Sequence, residues 1–365
     1  MAKELIINII LYKKTNKIKI HFTHIIIIRL SAMGDVAMTV PSVRALSAQY
    51  PDAKITMVSR AFFKPFFDDI PNVSFFVFDD KKKHKGFLGI LKLFWELKEL
   101  QPNFYVDFHN VLRTKIIGFL FGFTATKTTI IDKKRHEKKA ITAKIKRNFA
   151  PIENVFQKQS NALKRIGFNI DLSKIIFPPK SILNENIKSL FGIDATKKLI
   201  GIAPFAQYQS KIYPTDLMQI VVDELAKNHE YQLLLFGGGQ SEIISLESLA
   251  QSHKNVVVVA GKILFQEELK LISNLDIMLS MDSGNAHIAA MLGVKVLTLW
   301  GATHPFTGFL PYNQPLENSL TSDRHLYPQI PTSVYGNKIV EGYADAMRTI
   351  LPLTITTKIG AILKD

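Results

Sequence analysis

The sequence predicts an α/β protein built as two doubly wound halves. Three observations carry this reading. At 365 residues the chain exceeds what one ordinary hydrophobic core organises. Short apolar, β-branched runs alternate with stretches of helical spacing, the pattern of parallel strands joined by helical crossovers. The alternation breaks once, between Gly167 and Lys198, where Pro178-Pro179 cannot continue a regular element and the polar stretch Ser181 to Lys188 follows. The expected organisation is an extension over 1–23, a first domain over 24–178, a linker over 179–198, a second domain over 199–340 and a C-terminal segment over 341–365.

Composition narrows the function classes. With 47% hydrophobic and 21% charged residues the chain is globular in type, and its net charge of +15 predicts an anionic partner: nucleic acid, an acidic membrane surface or a phosphorylated substrate. Zero cysteines exclude disulfides, thiolate catalysis and Cys-based metal sites. The apolar run Leu5 to Tyr12 is too short to span a bilayer and precedes lysines instead of following them, so it reads as neither anchor nor signal peptide. A soluble chain is expected.

In the first half, Ile25 to Leu30 is a buried strand, apolar apart from Arg29. The turn Ser31-Ala32-Met33-Gly34-Asp35 follows, then Val36, Val40, Val43 and Leu46 at helical spacing, with Pro41 placing a helix start or kink near Thr39. Asp35 reads either as a helix N-cap or as a functional carboxylate. The turn lacks the G-x-G-x-x-G of a dinucleotide fold, which argues against a nicotinamide enzyme. Further strands are expected at Ile55 to Ser59, Val73 to Phe78 and Phe104 to Phe108. The pairs Asp68-Asp69 and Asp79-Asp80 lack D-x-D spacing and read as solvated loop ends, so no metal site is expected.

From Lys81 to Arg147 the chain carries 17 Lys and Arg against 5 Asp and Glu. Phe87, Ile90, Leu91, Phe94, Trp95 and Leu97 mark a helix with a wide apolar face flanked by Lys85, Lys92 and Lys98. It suits either a core helix or a helix lying on an anionic membrane. The second cluster, Lys133 to Lys139 with Lys144, Lys146 and Arg147, reads as a mobile basic loop. Nothing in it resembles a helix-turn-helix, finger or RNA-recognition signature, so no nucleic acid is expected.

The second half opens with the strand Leu199 to Ala203 and the loop Pro204 to Pro214, which carries Lys211. Leu233 to Phe236 runs into Gly237-Gly238-Gly239, where the backbone can approach a ribose or phosphate, and a helix carrying Glu242. Asn255 to Ala260 is a strand, Gly261-Lys262 a turn and Gln266 to Asn274 a helix. Then Ile277 to Leu279 leads into Met281-Asp282-Ser283-Gly284 and a helix from about Asn285, followed by the strand Val294 to Trp300. The free N–H groups of that helix form an anion-seeking surface, and His287 lies one turn beyond Ser283, so His287, Ser283 and Asp282 can face one pocket. Leu326 to Val340 is loop-like, Val340 to Leu351 a final helix, and the tail after Pro352 has no assigned role.

DSGNAHIAAMLGVKVLTLWGATHP resembles the nucleotide-sugar-binding segment of the heptosyltransferases, glycosyltransferase family nine, with Lys295 where the family pattern has Pro. Gly34 to Pro41 matches that family's first motif, G-D-[VI]-x-x-[TS]-[LVT]-P. Lys211-Ile212-Tyr213-Pro214 fits K-x-[WY]-P, although Ala206 and Gln207 stand where many relatives have Thr or Ser. The resemblance covers about residues 24–350 and implies the GT-B arrangement, two Rossmann-like domains facing each other across a cleft.

It also implies inverting, metal-independent transfer of heptose from ADP-heptose to the inner core of lipopolysaccharide, of the lipid A-Kdo type. The setting would be the cytoplasmic face of the inner membrane of a Gram-negative bacterium. By the same resemblance Asp35 is the base and Lys211 contacts the diphosphate. Ser31, Gly34, Gly237, Gly238, Gly239, Glu242, Asp282, Ser283, Gly284 and His287 are donor-side candidates. His109, Arg113, Lys133, Lys134 and Arg135 are acceptor-side candidates, and no cofactor is implied. The last helix would cross back to the first domain. Two rivals stay open: transfer of a different nucleotide-activated sugar, and a non-catalytic sugar-nucleotide or lipid-core binding protein of the same fold.

Overall fold

The computed structural model describes residues 23–364, so the reading of the N-terminal extension lies outside the described residues apart from Thr23. The first half contains β1 (His24–Ile28), α1 (Met33–Ala37), α2 (Val40–Gln49), β2 (Lys54–Ser59), β3 (Val73–Val77), α3 (Gly86–Glu99), β4 (Phe104–Asp107), α4 (Leu112–Phe121) and β5 (Lys127–Ile130). Helices α5 (Arg135–Ile141), α6 (Val155–Lys164) and α7 (Glu185–Phe191) follow. The second half contains β6 (Lys198–Ala203), α8 (Thr215–Ala226), β7 (Tyr231–Leu235), α9 (Gln240–Ala250), β8 (Val256–Val258), α10 (Phe265–Ile272), β9 (Ile277–Met281), α11 (Gly284–Met291), β10 (Lys295–Trp300), β11 (Ser319–Thr321) and α12 (Pro352–Lys364).

The strands form two sheets, ordered β3-β2-β1-β4-β5 and β11-β10-β9-β6-β7-β8, and each described pair is parallel. Parallel strands covered on both faces are buried on both faces, which is why β1 and β9 are fully buried and nearly continuous in apolar residues. Strand order reverses between β1 and β4 in the first sheet and between β6 and β9 in the second. Loops leaving those neighbouring strands part to opposite sides and open a crevice at the carboxyl ends. The segments carrying Asp35, His109, Lys211 and Asp282 leave from those four strands.

Pro41 acts as expected. A five-residue α1 ends at Ala37, and α2 begins at Val40 with the proline in its first turn, where no N–H is required. The two halves meet where α1 touches α11. A Cβ built on Gly34 would stand 3.1 Å from the Gly284 Cα and 3.1 Å from the His287 Cδ2, and one on Gly284 would stand 2.8 Å from the Met33 Cε. Any side chain at Gly34 would therefore press on backbone of the other half.

Four expectations are corrected. Residues 340–351 form no α-helix, only a 3-10 turn at Ala346–Thr349, because the run Gly342 to Arg348 offers too little apolar periodicity to hold one. The final helix is α12, in the segment given no role. It does not cross to the first sheet: Ile355, Ile359 and Ile362 are buried in one cluster with Met218, Val221 and Val222 of α8 and with β9, and Lys295 Nζ donates to the Ile362 carbonyl at 2.9 Å. The basic stretch after Lys133 is not a loop throughout, since Arg135–Ile141 is helical. The segment read as a linker contains α7, whose Phe191 and Gly192 carbonyls accept from Gln232 Nε2 of β7.

Ile359 is fully buried. Ile359→Ala should lower the free energy of unfolding by about 2–5 kcal/mol in a denaturant titration. An unchanged midpoint would mean that α12 adds nothing to the second core.

Candidate active site

The crevice between the sheets is lined by Ala32, Gly34 and Asp35 from the first half and by Tyr208, Lys211, Asp282, Ser283 and His287 from the second, with Phe309 and Tyr335 at its rim. Asp35 is not the N-cap, which is Ala32; from the first turn its carboxylate accepts a long bond from the Ala32 N–H at 3.4 Å. It sits inside α1, and its carboxylate pairs with the guanidinium of Arg29. Arg29 in turn donates through Nη1 to the Phe108 carbonyl at 2.9 Å, so the cation is pinned to the end of β4 and fixes the carboxylate above it.

Across the crevice, Lys211 Nζ lies 3.0 Å from Asp282 Oδ2, which also accepts from Thr303 Oγ1 at 2.8 Å. Both ions are largely buried, and Asp282 therefore orients Lys211 instead of capping α11. The lysine stem is held from the other side by Gly336. A Cβ there would stand 2.5 Å from the Lys211 Cδ, and its φ of +80° is one that glycine adopts without strain. Ser210 Oγ donates to the Gly336 carbonyl at 2.6 Å and locks the two segments together. Ser283 occupies the N-cap position of α11 without a side-chain cap bond, its hydroxyl lying 3.1 Å from that of Ser280.

The two histidines are neutral. Burial pushes the His287 imidazole down to about 4, against the pull of the Asp282 and Asp35 charges. Burial, reinforced by Arg29 and Lys133, pushes His109 down to about 3. Each has a buried Nδ1 without a hydrogen-bond partner, as does one carboxylate oxygen of Asp107. Unpaired buried polar atoms at a crevice are groups available to a ligand.

Basic side chains gather on the first-half lip. Burial and the charges of Arg29, Lys138 and Arg135 lower Lys133, and burial lowers Lys138 against the opposing charge of Asp35. Lys138 Nζ donates to the Tyr335 hydroxyl at 3.1 Å and lies 5.0 Å from the ring centres of Phe309 and Tyr335. Arg147 donates to the carbonyls of Pro328, Gln329 and Ile330. These contacts fix a stretch expected to be mobile.

The sequence candidates divide. Gly34, Asp35, Lys211, Asp282, Ser283, Gly284 and His287 line one cavity, and the charges of Lys133 and Arg135 act on its first-half lip, where neutral His109 feels Lys133. Ser31 precedes the lining residue Ala32. Arg113 stacks its guanidinium over Phe78 at 5.1 Å. Lys134 is drawn to Glu137 and Glu153, at 3.4 and 3.5 Å, and lies outside the lining. Gly237, Gly238 and Gly239 follow β7 and lie outside it too, and Glu242 turns back to accept from the Gly238 N–H at 2.7 Å. Among the described residues no three His, Asp or Glu side chains converge as metal ligands.

Sequence patterns do not single out Arg29, Lys138, Phe309 or Tyr335. Arg29 carries a signal all the same, being a lone cation in an apolar strand run, where a buried charge needs a partner. The two aromatics lie in loops and carry none.

Two parallel sheets whose loop-bearing edges converge on one crevice define the GT-B class of architecture. Residues 110–336 match the model of glycosyltransferase family 9 (heptosyltransferase), and the chain belongs to that family. It is 24% identical over 276 residues to lipopolysaccharide heptosyltransferase 3 of Escherichia coli, covering 74% of this chain and 81% of that one. Among solved structures, a family 9 glycosyl transferase from Veillonella parvula superposes with a TM-score of 0.72 at 19% identity, covering 94% of this chain and 97% of that one. An E. coli heptosyltransferase, WaaC, solved with ADP, gives a TM-score of 0.64 at 15% identity, covering 93% of this chain and 100% of that one.

His109 and His287 take no proton in the fold until pH falls to about 3 and 4, whereas an unfolded histidine takes one near 6.5. Between those values the unfolded chain binds more protons, so the histidines' share of stability is full above about 6.5 and is lost as pH falls towards 4. The denaturant midpoint should drop from pH 7 to pH 5, and a His109→Asn/His287→Asn chain should show a shallower drop. An identical slope in both would exclude neutral burial of these rings.

Proposed function

We propose that the protein is an inverting, metal-independent glycosyltransferase that moves heptose from ADP-heptose to the inner core of lipopolysaccharide. The observation that carries the reading is the opposition of Asp35 on the first half to Lys211 and the start of α11 on the second, across one crevice. Family membership supplies the reaction class, and the ADP with which WaaC was solved supports an adenosine diphosphate donor.

In this mechanism Asp35 takes the proton of an acceptor hydroxyl. The freed oxygen pair attacks the anomeric carbon, and the bond to the diphosphate breaks on the opposite face, the nucleotide keeping the pair. Arg29 holds the Asp35 carboxylate in place. Lys211 has three donor hydrogens and points one at Asp282, leaving others for phosphate oxygens. The N–H groups at Gly284 and Asn285 and the neutral imidazole of His287 add hydrogen bonds where charge grows on the leaving group. These groups take the place of a cation. On the acceptor side, Lys133, Lys138 and Arg135 suit a phosphorylated or carboxylated lipid core. We place the reaction at the cytoplasmic face of the inner membrane, with the protein peripheral to it; among the described residues no helix is long and apolar enough to cross a bilayer.

Asp35→Asn should keep ADP binding nearly intact while lowering turnover about 10²–10⁴-fold, measured by calorimetry and by release of ADP. Near-normal turnover would remove Asp35 as the base. Calorimetric binding of ADP, UDP, GDP and their sugars in the presence of chelator should favour ADP and ADP-heptose. Preference for a uridine or guanosine diphosphate sugar would discard the donor, a requirement for a divalent ion would discard the cation-free mechanism, and no binding would favour a non-catalytic role.

A further inference from the structure

Helix α4 carries an apolar stripe on its outer side. Thr114, Ile117 and Phe121 turn inward, whereas Leu112, Phe119 and Phe123 are 76, 66 and 76% exposed. Leu112, Phe119 and Phe123 recur at helical spacing and so form one line along the outside, continuing past the helix end, whereas Ile116 between them is half-buried against the inner cluster. Phe119 and Phe123 pack edge to face with centres 5.0 Å apart, an aromatic pair assembled in the open. On the neighbouring α3, Leu88 and Trp95 are 78 and 56% exposed. Both helices bury their inner sides in one cluster over the Ile26 and Ile28 face of the first sheet, joined by Phe94 and Phe121, so their outer sides face the same way. Beside α4 a groove of about 410 Å³ runs along the edge strand β5, walled by Phe119, Phe123 and Ile130.

Charge indicates what covers this face. Residues 81–127 carry nine Lys and Arg against three Asp and Glu. Lys98 Nζ sits 4.6 Å over the Trp95 ring, Lys115 lines the groove with Phe119 and Phe123, and Lys92 on α3 and Lys127 at the start of β5 are exposed. Protein interfaces are depleted in lysine. Aromatic side chains ringed by lysines match an anionic lipid surface, where rings settle at headgroup depth and ammonium groups meet phosphates.

We infer that the α3–α4 face docks on an anionic lipid leaflet, with Phe119 and Phe123 entering the headgroup layer. The inference rests on the lipid-linked acceptor of the proposed function and adds an orientation to it. His109, just before α4, feels the charges of Asp35 and Arg29 as well as that of Arg113 in the first turn of α4, so docking by α4 sets the acceptor lip towards the membrane.

The chain has two tryptophans, and Trp300 is fully buried. A change in tryptophan emission therefore reports Trp95. With the full chain, phosphatidylcholine vesicles containing phosphatidylglycerol should shift Trp95 emission to the blue and carry the protein in flotation, and vesicles of phosphatidylcholine alone should not. Phe119→Glu/Phe123→Glu should lower the bound fraction about tenfold with unfolding temperature unchanged, because both side chains are exposed. Binding of that variant equal to the parent, or no emission shift with phosphatidylglycerol, would overturn the inference and point to a protein partner. Vesicle docking without glycosyl transfer would sink the proposed function and leave the surface standing; transfer without docking would do the reverse.

Discussion

The backbone of Gly34 lies against the backbone of Gly284, and most of the site follows from that contact. Each glycine opens or sits within a helix start at the carboxyl end of a central strand, one in each sheet. With no side chain between them, the starts of α1 and α11 approach as closely as two pieces of backbone can. Asp35 and His287, one and three residues further on, are thereby carried to one crevice from sheets that share no strand. A methyl group at Gly34 would stand 3.1 Å from both the Gly284 Cα and the His287 ring and would press the carboxylate away from the groups opposite it, whereas one at Gly284 would meet chiefly the end of the Met33 side chain. The constraint is steric, and it sets the distance over which the electrostatics of the crevice act.

Those electrostatics are sorted by half. The first-half lip holds Arg29, Lys133, Lys138 and Arg135 around Asp35, with the buried Asp107 carboxylate acting on Lys133, and the positive charge of Arg29 and Lys133 helps keep His109 unprotonated. On the second half Lys211 and Asp282 nearly cancel, and burial keeps His287 neutral. An anion entering the second half therefore meets hydrogen-bond donors and one lysine already held in place, and not a field of loose charge. That arrangement suits a group whose negative charge grows during a reaction, because the donors need little reorganisation when it does.

Much of this is legible in the sequence because parallel strands and tight turns leave local traces. The runs at Ile25, Ile55, Leu199 and Ile277 are central strands, and Gly34-Asp35 and Asp282-Ser283-Gly284 stand at the ends of two of them. The failures have local causes. Edge strands β5 and β11 are short and only partly apolar, so period-two alternation does not mark them. Sequence spacing puts the last helix a full segment early because a proline reads as a stop, whereas Pro352 opens α12, a position where its missing N–H costs nothing. Glu242 reads towards a ligand, yet its carboxylate turns onto the Gly238 N–H, a choice between two nearby partners that sequence spacing does not distinguish. Arg29 is visible as an anomaly, and the rule that a buried cation needs an anion leads from it to Asp35.

Part of the tie between the halves that a crossing terminal helix would provide is made here by the loop over 326–336, beside the Ile152 and Val155 N–H bonds to the Phe306 and Gly308 carbonyls. Its beginning is gripped from the first half by Arg147 through three carbonyls, and Tyr335 near its end receives the Lys138 hydrogen bond. Gly336, the next residue, presses on the stem of Lys211 and bonds to Ser210. One short loop thus touches the acceptor-side cations and the donor-side lysine at once. Separating the halves would break the Arg147 and Lys138 contacts and loosen the support of Lys211 in the same movement. The geometry that keeps the crevice closed is therefore the geometry that keeps its lysine aimed, and a sequence with no regular pattern over these residues carries it because each contact is made by a single side chain or a single glycine.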